Sequence, residues 1–203
     1  MLNYSNIRPD KKAFIFELDN LLYPEKDYLL QVYYLFANFI EYTETVPSAP
    51  ELINFMKLTY EADGADGLFE KVQAAFGIDV KYNDEFDRLH RTARLPLKLI
   101  LYKNALDLLQ EIVINRKQIF IITNGDPEQQ LNKIRQMEWN GLEKYLTVYF
   151  ANELKPKPET TVLDDILSKH HLLRKDLLII GSSNTDKEFA FASGIDYIDI
   201  NNA

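Results

Sequence analysis

The 203 residues are 46% hydrophobic and 27% charged, the composition of a soluble globular protein with chain enough for one domain carrying an insertion or for two small domains. The absence of cysteine excludes disulfides, thiolate metal sites and cysteine nucleophiles. A formal charge of -8, with no cluster of Lys and Arg to offset it, opposes a phosphate backbone and excludes nucleic acid from the expected partners.

No apolar run reaches the roughly 18 residues that a membrane span needs, and the opening MLNYSN lacks the basic and apolar regions of a secretion signal. The expectation is a cytoplasmic location with no membrane partner.

The first element in chain order is a short buried strand over residues 13–18, which ends on two carboxylates two residues apart, Glu17 and Asp19. About a hundred residues without a strand-like run follow. Helical periodicity marks 28–42, 51–60, 68–76, 83–93 and 104–114, with Pro47, Pro50, Gly64, Gly67, Gly77 and Pro96 at the joins. So much helix exceeds one crossover, so 104–114 is read as the crossover helix and 23–95 as an inserted helical bundle. Its first helix, DYLLQVYYLFANFIEYTE, is apolar around most of its circumference. It is either the centre of that bundle or a surface where Tyr33, Tyr34 and Phe36 form a homodimer contact or line a ligand cleft.

Strands then recur at 118–122, 147–150, 177–180 and 197–200, separated by helical stretches at 127–137, 160–169 and 186–192. Strands alternating with helices predict a mainly parallel five-stranded sheet covered on both faces, an α/β core formed by residues 1–22 and 96–203. His90, His170 and His171 fit no metal-ligand spacing, and the adjacent pair is expected on a solvated helix end.

Ligands of an open parallel sheet bind beyond the carboxyl ends of its strands. Those ends carry Glu17-Leu18-Asp19, then Thr123-Asn124-Gly125, then Lys155-Pro156-Lys157-Pro158, then Gly181-Ser182-Ser183-Asn184-Thr185-Asp186. Singly each has a structural reading: a turn, an extended linker, a helix cap.

Jointly and in this order they resemble the haloacid dehalogenase superfamily, mostly magnesium-dependent phosphohydrolases that form an aspartyl-phosphate. The resemblance covers nearly the whole chain and places the helical insertion where that family has an α-helical cap. It implies a Rossmann-like three-layer sandwich with an all-α cap, Glu17 at the nucleophile position and Asp19 as general acid. It further implies Thr123, Asn124, Gly125 and Lys155 on the phosphate, with Lys155 preferred over Lys157 as the lysine that holds the nucleophile. Magnesium would rest on Glu17, the Asp19 carbonyl and Asp186. Ser182, Ser183 and Tyr23 are weaker candidates, Tyr23 at the hinge between core and cap.

Three positions depart from the pattern. Glu17 replaces an aspartate and carries its carboxylate out by one carbon–carbon bond, about 1.5 Å; misplacement by roughly 1 Å can cost on the order of a hundredfold in rate. Ser182 replaces a metal acid, which weakens any magnesium site. Leu21 stands where a threonine is frequent. The sequence therefore predicts a phosphatase-type site for a small phosphorylated metabolite with impaired turnover. A non-catalytic module that binds a phospho-ligand or a protein is the alternative, and the dehalogenation reaction ranks below both because it needs the same attacking acid.

Overall fold

The computed structural model describes residues 4, 7, 8 and 10–200. The chain divides into two compact units, Met1–Glu25 with Leu99–Ala203, and Lys26–Lys98. The expected divisions, after 22 and after 95, fall three residues earlier, and the outermost positions of the expected core lie outside the described residues.

In the first unit the strands are β1 (Ala13–Phe16), β2 (Leu99–Ile100), β3 (Gln118–Thr123), β4 (Met137–Glu138), β5 (Leu146–Phe150), β6 (Leu177–Gly181) and β7 (Asp196–Asp199). Five form one parallel sheet in the order β5-β3-β1-β6-β7. β1 pairs on both sides, and its four residues AFIF are all buried, as a central parallel strand requires. β2 and β4 pair separately through two residues each. The expectation of no strand between residues 18 and 118 is thus corrected: Leu99–Ile100 is too short to show a period.

The helices of this unit are α5 (Lys103–Ile114), α6 (Pro127–Gln136), α7 (Thr161–His170) and α8 (Asn184–Ser193). Alternation along the strands sends Ala13, Ile15, Phe120, Ile122, Leu177 and Ile179 to one face, where they pack with Val162, Leu163 and Ile166 of α7 and with Phe189 and Ala190 of α8. On the other face Phe16 and Ile180 meet Ala105 and Leu108 of α5. Connections that run one way from β1 and then return past it place helices on both faces, because right-handed crossovers allow nothing else. The result is a Rossmann-like α/β sandwich. Each large apolar side chain enclosed in it contributes about 1.5–3 kcal/mol by burial.

The second unit contains α1 from Lys26 onward (the helix spans Glu25–Glu44), α2 (Ala49–Asp63), α3 (Leu68–Phe76) and α4 (Asn83–Thr92). α1 is its centre: Tyr33 and Phe36 are fully buried, and Phe36 meets Phe69 and Phe86 edge to face. Tyr34 remains half exposed. No helix of the described residues is long and apolar enough to cross a membrane.

Candidate active site

The carboxyl end of β1 delivers Glu17 into a loop that is fixed from both directions. Leu18, Leu21 and Leu22 are buried, so the position where the resemblance leads one to expect a threonine is filled by a core side chain. Asn20 takes φ 58, a left-handed conformation that asparagine tolerates better than most residues, and its Oδ1 accepts the Glu25 N–H at 3.1 Å.

Lys157 is the cation of this end. Its ammonium, 3% exposed, donates to Glu17 Oε2 and, at 2.6 Å, to Asp186 Oδ1. Lys155 is exposed. The expected assignment is therefore corrected to the second lysine of Lys-Pro-Lys-Pro, and the reason lies in the backbone. The Asn124 side chain donates from Nδ2 to the Lys157 carbonyl at 3.0 Å and accepts the Lys157 N–H on Oδ1 at 2.9 Å, which turns that residue, and not its neighbour two earlier, toward the acids.

The three charges are unequal. Burial pushes the Glu17 carboxyl above the usual carboxylate range, outweighing Lys157 and the Leu18 N–H that Oε1 accepts at 2.8 Å. Burial opposes ionisation of Asp186 as well, but Lys157 and the hydrogen bonds from Ser183 overcome it and hold this carboxyl low. Burial opposes the charge on Lys157 too, and the two carboxylates outweigh it and raise its pKa. Asp186 also completes a capping box at the start of α8: its Oδ2 accepts the Ser183 hydroxyl at 2.7 Å, and Ser183 Oγ accepts the Asp186 N–H at 3.1 Å. It lies so close to Gly181 that a Cβ there would come within 2.5 Å of the Asp186 Cβ. Ser182 donates its backbone N–H to Asp186 Oδ2 at 3.3 Å.

A second cation, absent from the sequence reading, holds Asp19. Lys133 of α6, 2% exposed at its side chain, donates to Asp19 Oδ1 at 3.0 Å and Oδ2 at 2.8 Å, and reaches Glu25 at 3.3 Å. Tyr23, fully buried, donates its hydroxyl to Asp19 Oδ1 at 2.6 Å, and Gln130 donates to Oδ2 at 2.8 Å. The same Gln130 amide donates to Thr123 Oγ1 at 2.6 Å. Polar residues three apart in PEQQLNKI share one helix face, the only sequence signal for this pair.

The structure thus brings Glu17, Lys157 and Asp186 into one cluster and Asp19, Thr123 and Tyr23 into another. Of the residues expected on phosphate, Thr123 is engaged by Gln130, Asn124 clamps Lys157, and the Gly125 N–H donates to Asn152 Oδ1 at 3.1 Å. Ser183 is the cap of α8.

Magnesium takes hard oxygen ligands in near-octahedral geometry. Both carboxylates expected to hold it, Glu17 and Asp186, are turned onto the Lys157 ammonium, which takes the place a cation would need. Among the described residues no three His, Cys, Asp or Glu gather as a metal site. The donor set in this arrangement does not fit a magnesium centre.

The sequence pattern of the haloacid dehalogenase-like hydrolases matches residues 14–200. Among solved structures, a hydrolase from Streptococcus pneumoniae TIGR4 is 18% identical with a TM-score of 0.53, covering 95% of this chain and 96% of its own. YfnB from Bacillus subtilis, in a magnesium-bound form, is 16% identical with a TM-score of 0.63, covering 94% of this chain and 87% of its own. A haloacid dehalogenase-like family hydrolase from Xanthomonas campestris is 18% identical with a TM-score of 0.57, covering 94% and 81%. Comparison with curated proteins gives no match. At these identities the structures speak for the fold, and the family pattern, running from the buried first strand past the Asp186 cap, speaks for descent: the chain belongs to the haloacid dehalogenase-like hydrolase family.

Proposed function

We propose that this protein carries a phosphatase-type site for a small phosphorylated metabolite in which phosphoryl transfer is strongly impaired. The observation that carries this reading is the state of Asp19. A general acid must present a proton to the leaving oxygen. Both Asp19 oxygens instead accept hydrogen bonds, from an ammonium, an amide and a phenol, and are turned away from that task. Glu17 adds to the loss, because its longer arm is already spent on Lys157 and the Leu18 N–H. Charge adds a third support: four carboxylates, Glu17, Asp19, Glu25 and Asp186, face two ammonium groups, so an entering phosphate dianion meets no excess of positive charge. Magnesium is expected to bind weakly or not at all.

The second reading is a non-catalytic module that binds a phospho-ligand or a protein. Its protein-binding form is the one favoured, because the Thr123 hydroxyl and the Gly125 N–H are satisfied within the chain and are not held open for a phosphate.

The test is an assay with p-nitrophenyl phosphate and a panel of phosphorylated metabolites, with and without magnesium. Slow turnover abolished by Glu17→Ala supports the impaired enzyme. Turnover that survives Glu17→Ala, or a rate typical of an unimpaired phosphatase, overturns it; no turnover with measurable binding of a metabolite favours the module.

A further inference from the structure

The motif residues gather at the carboxyl edge of the sheet, but a separate opening lies at the amino edge. There the first residues of β3 and β5 and the ends of α5 and α7 enclose a cleft of about 320 Å³, at the small end of the range for ligand sites. Along β3 its nearest lining residue, Phe120, lies three residue steps from Thr123, roughly 10 Å at the rise of a strand. It is independent of the Lys157 and Lys133 clusters.

The walls of this cleft differ from the rest of the chain in charge. The protein carries a net -8, yet the cleft presents Arg116, Lys117 and His170 and no carboxylate. Among the described residues no carboxylate pairs with the Arg116 guanidinium. The two cations stand on a fixed helix end: the Arg116 N–H donates to the Val113 carbonyl at 2.9 Å, the Lys117 N–H to the Ile112 carbonyl at 3.1 Å, and Arg116 takes the left-handed φ of 55 that closes the turn.

The facing wall is aromatic and equally ordered. His170, expected on a solvated helix end, instead packs edge to face on Phe120 at 4.6 Å, with its Nε2 3.0 Å from the Tyr149 hydroxyl. Tyr145, half exposed, stands at the mouth beside Thr147. Cations at a helix end also complement its dipole. That role accounts for Arg116 and Lys117 but not for an open, acid-free cleft backed by aromatic rings.

We propose that this cleft is a second binding site, for a small aromatic anion: a planar ring against His170 and Tyr145, with a carboxylate or phosphoryl group on Arg116. Guanidinium groups grip both kinds of anion in bidentate fashion.

The test is amide chemical-shift mapping of the full chain with benzoate and phenylphosphonate, which also tells the two anionic groups apart. The expected result is saturable shifts at residues 116–120 and 145–147 with a Kd on the order of 1 mM. Arg116→Glu and Thr147→Trp, both at exposed positions, should each weaken binding at least about tenfold, one by charge and one by filling the cleft. Glu17→Gln should leave it unchanged, so failure here and failure of the proposed phosphatase-type site read out separately. Inorganic phosphate and benzyl alcohol, each with half of the recognised chemistry, should bind at least about tenfold more weakly than either probe. No localised shifts, shifts centred on Glu17 and Asp19, equal binding of inorganic phosphate, or indifference to Arg116→Glu would each overturn the proposal.

Discussion

Asn124 grips Lys157 through both ends of its side-chain amide, at 3.0 Å and 2.9 Å, and thereby decides which of two neighbouring lysines meets the acids. Asn124→Ala should cost about 1–3 kcal/mol, because it leaves the backbone N–H and carbonyl of Lys157 without these partners. Urea denaturation measures this, and Asn124→Asp, which keeps the acceptor and loses the donor, should fall between wild type and alanine.

Lys157→Met strands two buried carboxylates and should destabilise the fold by about 3–5 kcal/mol. Lys155→Met, at an exposed side chain, should change stability by no more than about 0.5 kcal/mol. Equal effects at the two positions would contradict the assignment of the lysine.

Lys133 and Asp19 should behave as a coupled pair. In a double-mutant cycle of Lys133→Met and Asp19→Asn, each single change costs more than it does in the presence of the other, with a coupling of roughly 0.5–3 kcal/mol. Glu25, the further partner of Lys133, keeps the coupling from accounting for the whole effect.

The two acids on Lys157 should respond to pH in opposite senses. Burial raises the Glu17 carboxyl, so the folded state binds its proton more tightly than the unfolded chain does. Its contribution is full below about pH 4.3 and is lost as pH rises through the raised value. Asp186 is held low by Lys157 and Ser183 against the effect of burial, so its contribution is present above about pH 3.9 and is lost as pH falls through the depressed value. Urea midpoints across pH should show wild type losing ground to Glu17→Gln on the alkaline side and to Asp186→Asn on the acid side.

The double change Glu17→Asp with Ser182→Asp shortens the attacking arm and adds an acid beside Asp186. Aryl phosphate hydrolysis under saturating magnesium should rise by about a hundredfold over wild type. A further gain on adding Lys133→Gln would mark the hold on Asp19 as a separate obstacle, and no gain from the double change would place the obstacle elsewhere.

The sheet was legible because its strands are short apolar runs with turn residues after them, and AFIF and LLIIG are buried along their whole length. The helical insertion was legible from periodicity, with α3 matching residue for residue. Lys157 was misplaced because Lys-Pro-Lys-Pro offers two lysines with the same local chemistry, and the choice between them is made by Asn124, 33 residues away. Gln130 and Lys133 escaped notice because polar residues on a short helix read as a solvated face, and only the tertiary approach of Asp19 buries them. The cleft beside Arg116 joins four elements from separate parts of the chain and has no local signature.

Gly181 offers no room for even a methyl group against Asp186, and this limits how the molecule can be altered. A library built on this scaffold can vary positions 182, 184 and 185 only while Gly181 and the Ser183 cap stay fixed, since any side chain at 181 would push the first turn of α8 away from β6 and carry Asp186 with it. An acid introduced at 182 can therefore stand beside Asp186 only while the glycine at 181 is kept.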